Sequence, residues 1–381
     1  MRIPCDWSIA LVLLGVAACA GVSARPEAVS PDSLPSVELS PAAIGRRDTL
    51  VENCVTAAVV RRFEEAERDA RSALLIDPRC ARARAVVGMA LLERARAQEP
   101  MDLHLANAGD AETLLAERLA PADPFVGWMR AVFLAESGHV SAAAAAAEAA
   151  LSRTVGARPE ERAPLFGVAG TYRYELGEER AALPLLQAYI EIRSDDAAAS
   201  FRIGSCLLRK AAVPSGANPE KSARIDAEAA ARAFQRCCEL APGDEDAALA
   251  AGAATMRAAE LAEKQGETAI RDARWSEAAA HFTAVSTRFP DSAEAKFRLG
   301  VVAEARDVVA EARAAYTQAL DRDPQHLGAL LNLAALLDGT EDAAQVVPLL
   351  QRALQADAAR PGLTARERRR IEERVAAVPD K

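Results

Sequence analysis

The feature that most restricts the fold is a pattern of small and large apolar residues that returns at a fixed interval along most of the chain. Its clearest copy spans residues 293–326, AEAKFRLGVVAEARDVVAEARAAYTQALDRDPQH. Phe297, Leu299, Gly300 and Ala303 fall at helical spacing in the first half. Ala312, Tyr316, Ala319 and Leu320 do so in the second half, before Asp323-Pro324 stops the run. The spacing predicts two short amphipathic helices. Neither hides its apolar stripe alone, and Gly300 and Ala312 are small enough to let two helix backbones approach closely. Such a hairpin needs neighbours.

Other stretches repeat the pattern in phase. Phe201-Arg202-Ile203-Gly204 returns almost letter for letter as Phe297-Arg298-Leu299-Gly300, and Phe63-Glu64-Glu65-Ala66 through Ala73 and Asp77-Pro78 reproduces the second helix and its stop. Cys54 and Gly88 hold equivalent places 34 residues apart. The pattern resembles the tetratricopeptide-repeat (TPR) family, in which a Trp-x-x-Leu-Gly-x-x-Tyr first helix is followed by Ala, an aromatic, Ala and Pro at that period. The resemblance implies an all-α, TPR-type α-solenoid: a right-handed superhelix of about eight helix-turn-helix repeats closed by a C-terminal capping helix.

The expected organisation is a leader over 1–18, a Pro- and Ser-rich tether over 19–46, repeats over 47–360, and a charged capping helix with tail over 361–381. The first helix of the first repeat matches poorly. In the second repeat, Val86, Gly88 and Leu91 restore the pattern, and an insertion over 98–108 delays the second helix to 110–119. The fifth repeat carries a loop over 211–225, marked by Pro214, Gly216 and Pro219. Gly204, Gly252 and Gly300 are 48 residues apart, so the fifth and sixth units each exceed the period by 14 residues. Fourteen residues is about four helical turns. In the sixth unit no Pro lies between Met256 and Arg274, so the excess lengthens each of its helices by two turns. Leu333-Ala334, Gly339 and Leu349 mark an eighth unit.

Composition agrees with close helix packing. Hydrophobic residues make up 51% of the chain and aromatics only 4%, which leaves Ala and Leu to fill the interior. The net charge of −9, from 46 basic and 55 acidic residues spread along the sequence, supplies no basic face for phosphate and argues against nucleic acid as partner. A protein or peptide segment is the expected guest.

At the N-terminus Arg2 precedes an apolar run over 9–18, too short to span a bilayer as a mature helix. The run ends in Val16-Ala17-Ala18-Cys19, which resembles the lipobox of bacterial lipoproteins. That resemblance implies cleavage before Cys19, lipidation of its thiol, and a place at the bacterial cell envelope, at the outer membrane facing the periplasm. An ordinary secretory leader, cut at a small-residue site and releasing a soluble periplasmic or secreted protein, shares every feature except the placed Cys. Residues 20–45, with Pro26, Pro31, Pro35 and Pro41, read as a disordered tether spanning roughly 25–30 Å.

Catalytic signatures are missing from the sequence. It has no Gly-rich phosphate loop, no His-Glu-x-x-His, no Gly-x-Ser-x-Gly and no Cys-x-x-Cys. His104, His139, His281 and His326 fall in separate repeats without metal-ligand spacing. No enzyme activity, cofactor or metal is expected. Cys54 and Cys237 take family positions held by small residues, and Cys206 with Cys237 lies on the paired helices of one repeat, where a bridge is compatible with an oxidising compartment.

By the resemblance, first helices line the groove of a TPR stack. Counting from each repeat's small residue assigns Phe125, Trp128, Phe201, Leu249 and Phe297 to that face, with Tyr174, Arg209 and Arg257 a turn or more onward. Aromatics beside arginines suit a peptide or helix guest. Any of these rings also fits between repeats as core. The clamps that grip chaperone tails in this family need several asparagines, and only Asn332 stands at such a place. The resulting expectation is a non-enzymatic, envelope-anchored scaffold. A periplasmic ligand carrier, an accessory subunit of a transport or cell-wall system, and the regulatory half of an enzyme complex are the alternatives. Replacing Cys19 by Ser is expected to abolish fatty-acid labelling and release the protein from membranes; a labelled band that persists would contradict the lipobox.

Overall fold

The computed structural model describes residues 29–213, 218–340 and 342–376. The leader, Cys5 and Cys19 lie outside them. Seventeen α-helices and two short 3-10 turns make up the described regular structure, with no strand among the described residues. The chain divides into two compact units, residues 1–199 and 200–381.

In the first unit four hairpins follow one another: α1 (Pro41–Val59) with α2 (Phe63–Ile76), α3 (Ala81–Arg96) with α4 (Leu103–Leu119), α5 (Pro124–Glu136) with α6 (Val140–Arg153), and α7 (Pro159–Glu175) with α8 (Glu179–Ile192). The second unit holds α9 (Ala197–Ala212, its first three residues belonging to the first unit) with α10 (Pro219–Leu240), α11 (Glu245–Lys264) with α12 (Thr268–Arg288), α13 (Ala293–Ala305) with α14 (Val309–Arg322), and α15 (Leu327–Leu337) with α16 (Val346–Ala359). The final helix, α17 (Ala365–Ala376), follows α16.

Local chemistry sets the ends of these helices. Asp123 accepts the Phe125 N–H at 2.9 Å, Asp244 the Ala247 N–H at 2.9 Å and Ser292 the Ala295 N–H at 3.1 Å, each satisfying donors that the first turn leaves open. Between the helices of several hairpins the chain passes through the left-handed region. Gly138, Gly177 and Gly266 take it at no steric cost, while Arg61 and Asp307 take it with φ of 59° and 60°.

The close approach expected at the small residues is present in several hairpins. A Cβ placed on Gly204 would meet the Phe234 ring at 2.8 Å, and one on Gly252 the Phe282 ring at 2.6 Å. In the second hairpin, α3 and α4 touch backbone to backbone, with Gly88 and Gly109 each leaving room for the other's carbonyl. Gly109 therefore sits inside a helix. The insertion expected over 98–108 shrinks to residues 97–102, because Asp102 caps α4 by accepting from His104 N–H at 2.9 Å and Leu105 N–H at 3.2 Å.

Two other boundaries differ from expectation. α1 begins at Pro41, inside the expected tether, with Ser40 as its cap and proline at its first turn. Arg79 donates to the Pro31 and Leu34 carbonyls at 3.2 and 3.5 Å, so residues 31–34 also lie against the first unit. The loop expected over 211–225 is short as well, since α10 starts at Pro219, again proline-first. The excess residues of the sixth unit do lengthen both of its helices: α11 and α12 have 20 and 21 residues, where α13 and α14 have 13 and 14.

α17 closes the second unit. Ile371 and Val375 pack on the cluster formed by residues of α13, α14, α15 and α16. Asp357, only 1% exposed, accepts from the Gly362 and Leu363 N–H groups at 2.7 Å each and from Arg368 Nε at 2.8 Å. Those two amides, with Arg368 beside them, hold its carboxyl below the ordinary aspartate range. A depressed pKa means the ionised form stabilises the fold. That contribution is complete above the unfolded pKa and is lost as pH falls through the lowered folded value. Hydrogen exchange is expected to show α17 protected at pH 5 and released only below about pH 4, with Asp357→Asn releasing it at neutral pH while other helices keep their protection. Unchanged α17 protection in that variant would contradict the latch.

Candidate functional site

The second unit contains a cavity of about 270 Å³ whose lining comes entirely from first helices. Leu208 and Ala212 project from α9, Ala253, Met256, Arg257 and Glu260 from α11, and Arg298 from α13. The α11 residues follow the i, i+3, i+4, i+7 spacing that places side chains on one stripe of a helix. The stripe runs about two turns beyond the close-packed Gly252 and so emerges from the hairpin interface. Arg257 donates to Glu260 at 2.9 Å, and Arg298 donates to Glu294 at 2.6 Å while its guanidinium stacks over Phe297 at 5.4 Å. His326 contacts the other oxygen of Glu294 at 3.0 Å, and that bond together with Arg298 holds the Glu294 carboxyl below its usual range.

The first helices of the first unit carry a different set. Glu93 on α3 and Glu136 on α5 are joined by Arg61, which pairs with Glu93 and donates to Glu136 at 2.7 Å; Arg96 donates to Glu136 at 2.9 Å. Burial pushes the Glu93 carboxyl up and the Glu136 charge adds to this, against the opposing pull of Arg61 and Arg96. Arg61 thus spans three hairpins from a left-handed turn that glycine fills elsewhere. The network is internally neutralised and fastens the first-helix face of this unit.

Of the residues assigned to the groove from sequence, Arg257 lines the cavity and Arg209 is the exposed neighbour of Leu208, one of its walls. The aromatic assignments need correction. Trp128 is 7% exposed in the core of the first unit, with the half-buried Phe125 edge-on to it at 5.8 Å. Phe201 packs edge-on against the buried Phe234 at 5.3 Å. Phe297 lies 5.9 Å from Tyr316 and 4.8 Å from His326, against Gly328, and fills the joint between the seventh and eighth hairpins. Leu249 packs on the cluster of Met256, Trp275 and Phe282. Tyr174 is half-buried on α7. Asn332 is spent on the fold, donating to the Tyr316 hydroxyl at 3.1 Å.

Three of the five described cysteines act as small fillers. Cys54, Cys206 and Cys237 are buried, and the Cys237 thiol lies 4.0 Å from an Asp244 carboxylate oxygen. No cluster of three or more metal-ligating side chains occurs among the described residues. No described helix is long and apolar enough to cross a membrane.

A tetratricopeptide-repeat family model matches residues 263–325, from the end of α11 through α14. That segment, which supplies Arg298 and abuts the α11 stripe, is a tetratricopeptide repeat region. No curated protein matches the chain. Among solved structures, the chain is similar to the Pseudomonas aeruginosa pilF protein (15% identity, 67% of this chain and 97% of that one, TM-score 0.44). It is also similar to YrrB, a TPR protein with an unusual peptide-binding site (19%, 58% and 96%, TM-score 0.45), and to MamA of Desulfovibrio magneticus RS-1 (16%, 52% and 97%, TM-score 0.40).

The burial of Trp128 changes what its truncation should do. Trp128→Ala is expected to cost about 3–5 kcal/mol of stability, as large-to-small core changes do, read as a lowered denaturation midpoint of the helical signal. A midpoint that hardly moves would return Trp128 to the surface role expected from sequence.

Proposed function

We propose that the protein is a non-enzymatic scaffold that binds a segment of another protein against the first helices of its second unit. The observation that carries this reading is the cavity whose lining belongs wholly to α9, α11 and α13. Between α9, α11 and α13 a stripe of first-helix surface is left open. That stripe mixes Leu208, Ala253 and Met256 with Arg257, Glu260 and Arg298, the combination of apolar anchor and polar rim that protein interfaces use.

In the same reading, lipidation at Cys19 holds the scaffold at the bacterial envelope, with the outer membrane facing the periplasm as the proposed site. The lipobox-like Val16-Ala17-Ala18-Cys19 supports this placement. The partner is then a protein of that compartment.

Site-specific photocrosslinking tests the binding face. A benzoylphenylalanine at position 257 of the full chain, irradiated in native envelopes, should capture a discrete partner band. The same group at Val309, 57% exposed on the second helix α14, should not. Capture from position 309 with none from position 257 would contradict the assignment.

A further inference from the structure

The carboxylates of Glu93 and Glu136 stand together at the ends of neighbouring first helices, where a single guanidinium nitrogen of Arg61 touches both. The other terminal nitrogen of Arg61 donates to the second Glu136 oxygen at 2.7 Å, and Arg96 donates to Glu136 at 2.9 Å. Stacking of the Arg61 guanidinium over Phe63, at 5.4 Å, steadies it from α2. Three hairpins therefore meet at one pair of carboxyl groups.

Formal charges in this group cancel, but the surroundings of the cations and anions differ. The Glu93 and Glu136 side chains are 29% and 17% exposed, against 47% and 46% for Arg61 and Arg96. Water screens the two arginines more than the two carboxylates, so repulsion between the carboxylates is felt on the drier side. Glu136 accepts from both arginines and Glu93 from Arg61. Burial, with the Glu136 charge behind it, accordingly raises the Glu93 carboxyl in spite of Arg61 and Arg96.

Neighbouring elements leave this pair to itself. α4 meets α3 through Gly109 and Thr113, which do not titrate. On α2, Glu67 is taken by Arg71 at 2.6 Å and by Arg94 at 3.4 Å, and on α6 Glu148 is taken by Arg173 at 2.6 Å. His139, between α5 and α6, is exposed. From α7 the buried Tyr172 adds a neutral phenol, since burial and the Glu136 and Glu175 charges all raise its hydroxyl.

We propose that Glu93 and Glu136 form a proton-operated clasp: in mildly acid surroundings Glu93 takes one proton from water and donates it in a hydrogen bond to Glu136, and the first unit is held more tightly there than at neutral pH. Arg61 and Arg96 then serve the one remaining carboxylate. A raised carboxyl means that the protonated form stabilises the fold. That contribution is complete below the unfolded glutamate value and is lost as pH rises through the raised folded value. The response is opposite in sign to that of the Asp357 latch in the second unit.

Hydrogen exchange of the full chain at pH 5 and pH 7, corrected for the intrinsic rate at each pH, tests the clasp against Glu93→Gln, which is neutral at both. The ratio of α3 and α5 protection at pH 5 to that at pH 7 should be at least about threefold larger in the wild type than in the variant. Carbon-13 NMR gives a readout that needs no stability change: the carboxyl resonance lost in Glu93→Gln should titrate, in the wild type, above the ordinary glutamate value. Equal protection ratios in the two proteins, or a Glu93 midpoint at or below the ordinary value, would overturn the clasp.

Discussion

Several hairpins depend on a first helix that presents glycine to a bulky group on the second. Gly204 faces Phe234, Gly252 faces Phe282 and Gly300 faces Tyr316, and each of those rings is buried. Glycine inside a helix costs about 0.5–1 kcal/mol relative to alanine. The cost is offset by the ring it admits, since a buried aromatic removes some 150–250 Å² from water. With a 4% aromatic content the chain has few such rings to spend, and it spends them here.

That contact also decides which surface remains for binding. Once the Phe282 ring occupies Gly252, the rest of α11 divides into positions that pack and one stripe that does not. In α11 the unspent stripe runs through Ala253, Met256, Arg257 and Glu260. Tyr316 shows how fully the packed side is used: its hydroxyl donates to Glu304 at 2.6 Å and accepts from Asn332 of the following hairpin at 3.1 Å. α11 continues twelve residues past Gly252, so its length adds surface without disturbing that contact.

Periodicity made much of this legible before any coordinates. The regular return of glycine fixed the hairpins, and the two 48-residue intervals announced the lengthened helices. Side-chain direction was harder to read. Trp128, Phe201 and Phe297 sit at spacings that suit either the core or a groove, and a repeating pattern marks a stripe without saying what covers it. Local composition misled in two places. The Gly109 region and the proline-rich stretch before residue 41 carry loop-forming residues, yet one glycine serves a backbone contact and Pro41 opens a helix. The lining residues Ala253 and Glu260 carry no signal of their own; only counting one and eight residues on from Gly252 would have found them. Arg61 was hidden in the same way, since nothing local distinguishes it from a surface arginine.

The contact between Gly252 and Phe282 is the place to test the central claim, by a double-mutant cycle read as unfolding free energy. Gly252→Ala alone gains about 1 kcal/mol of helix propensity. It should nevertheless destabilise by about 1–3 kcal/mol through overpacking against the ring. In a Phe282→Leu background, where the ring is gone, the same alanine should be neutral or stabilising, a coupling of at least about 1 kcal/mol. Additive effects within about 0.5 kcal/mol would show that the ring does not constrain the glycine, and that some other interaction sets the hairpins and the recess between them.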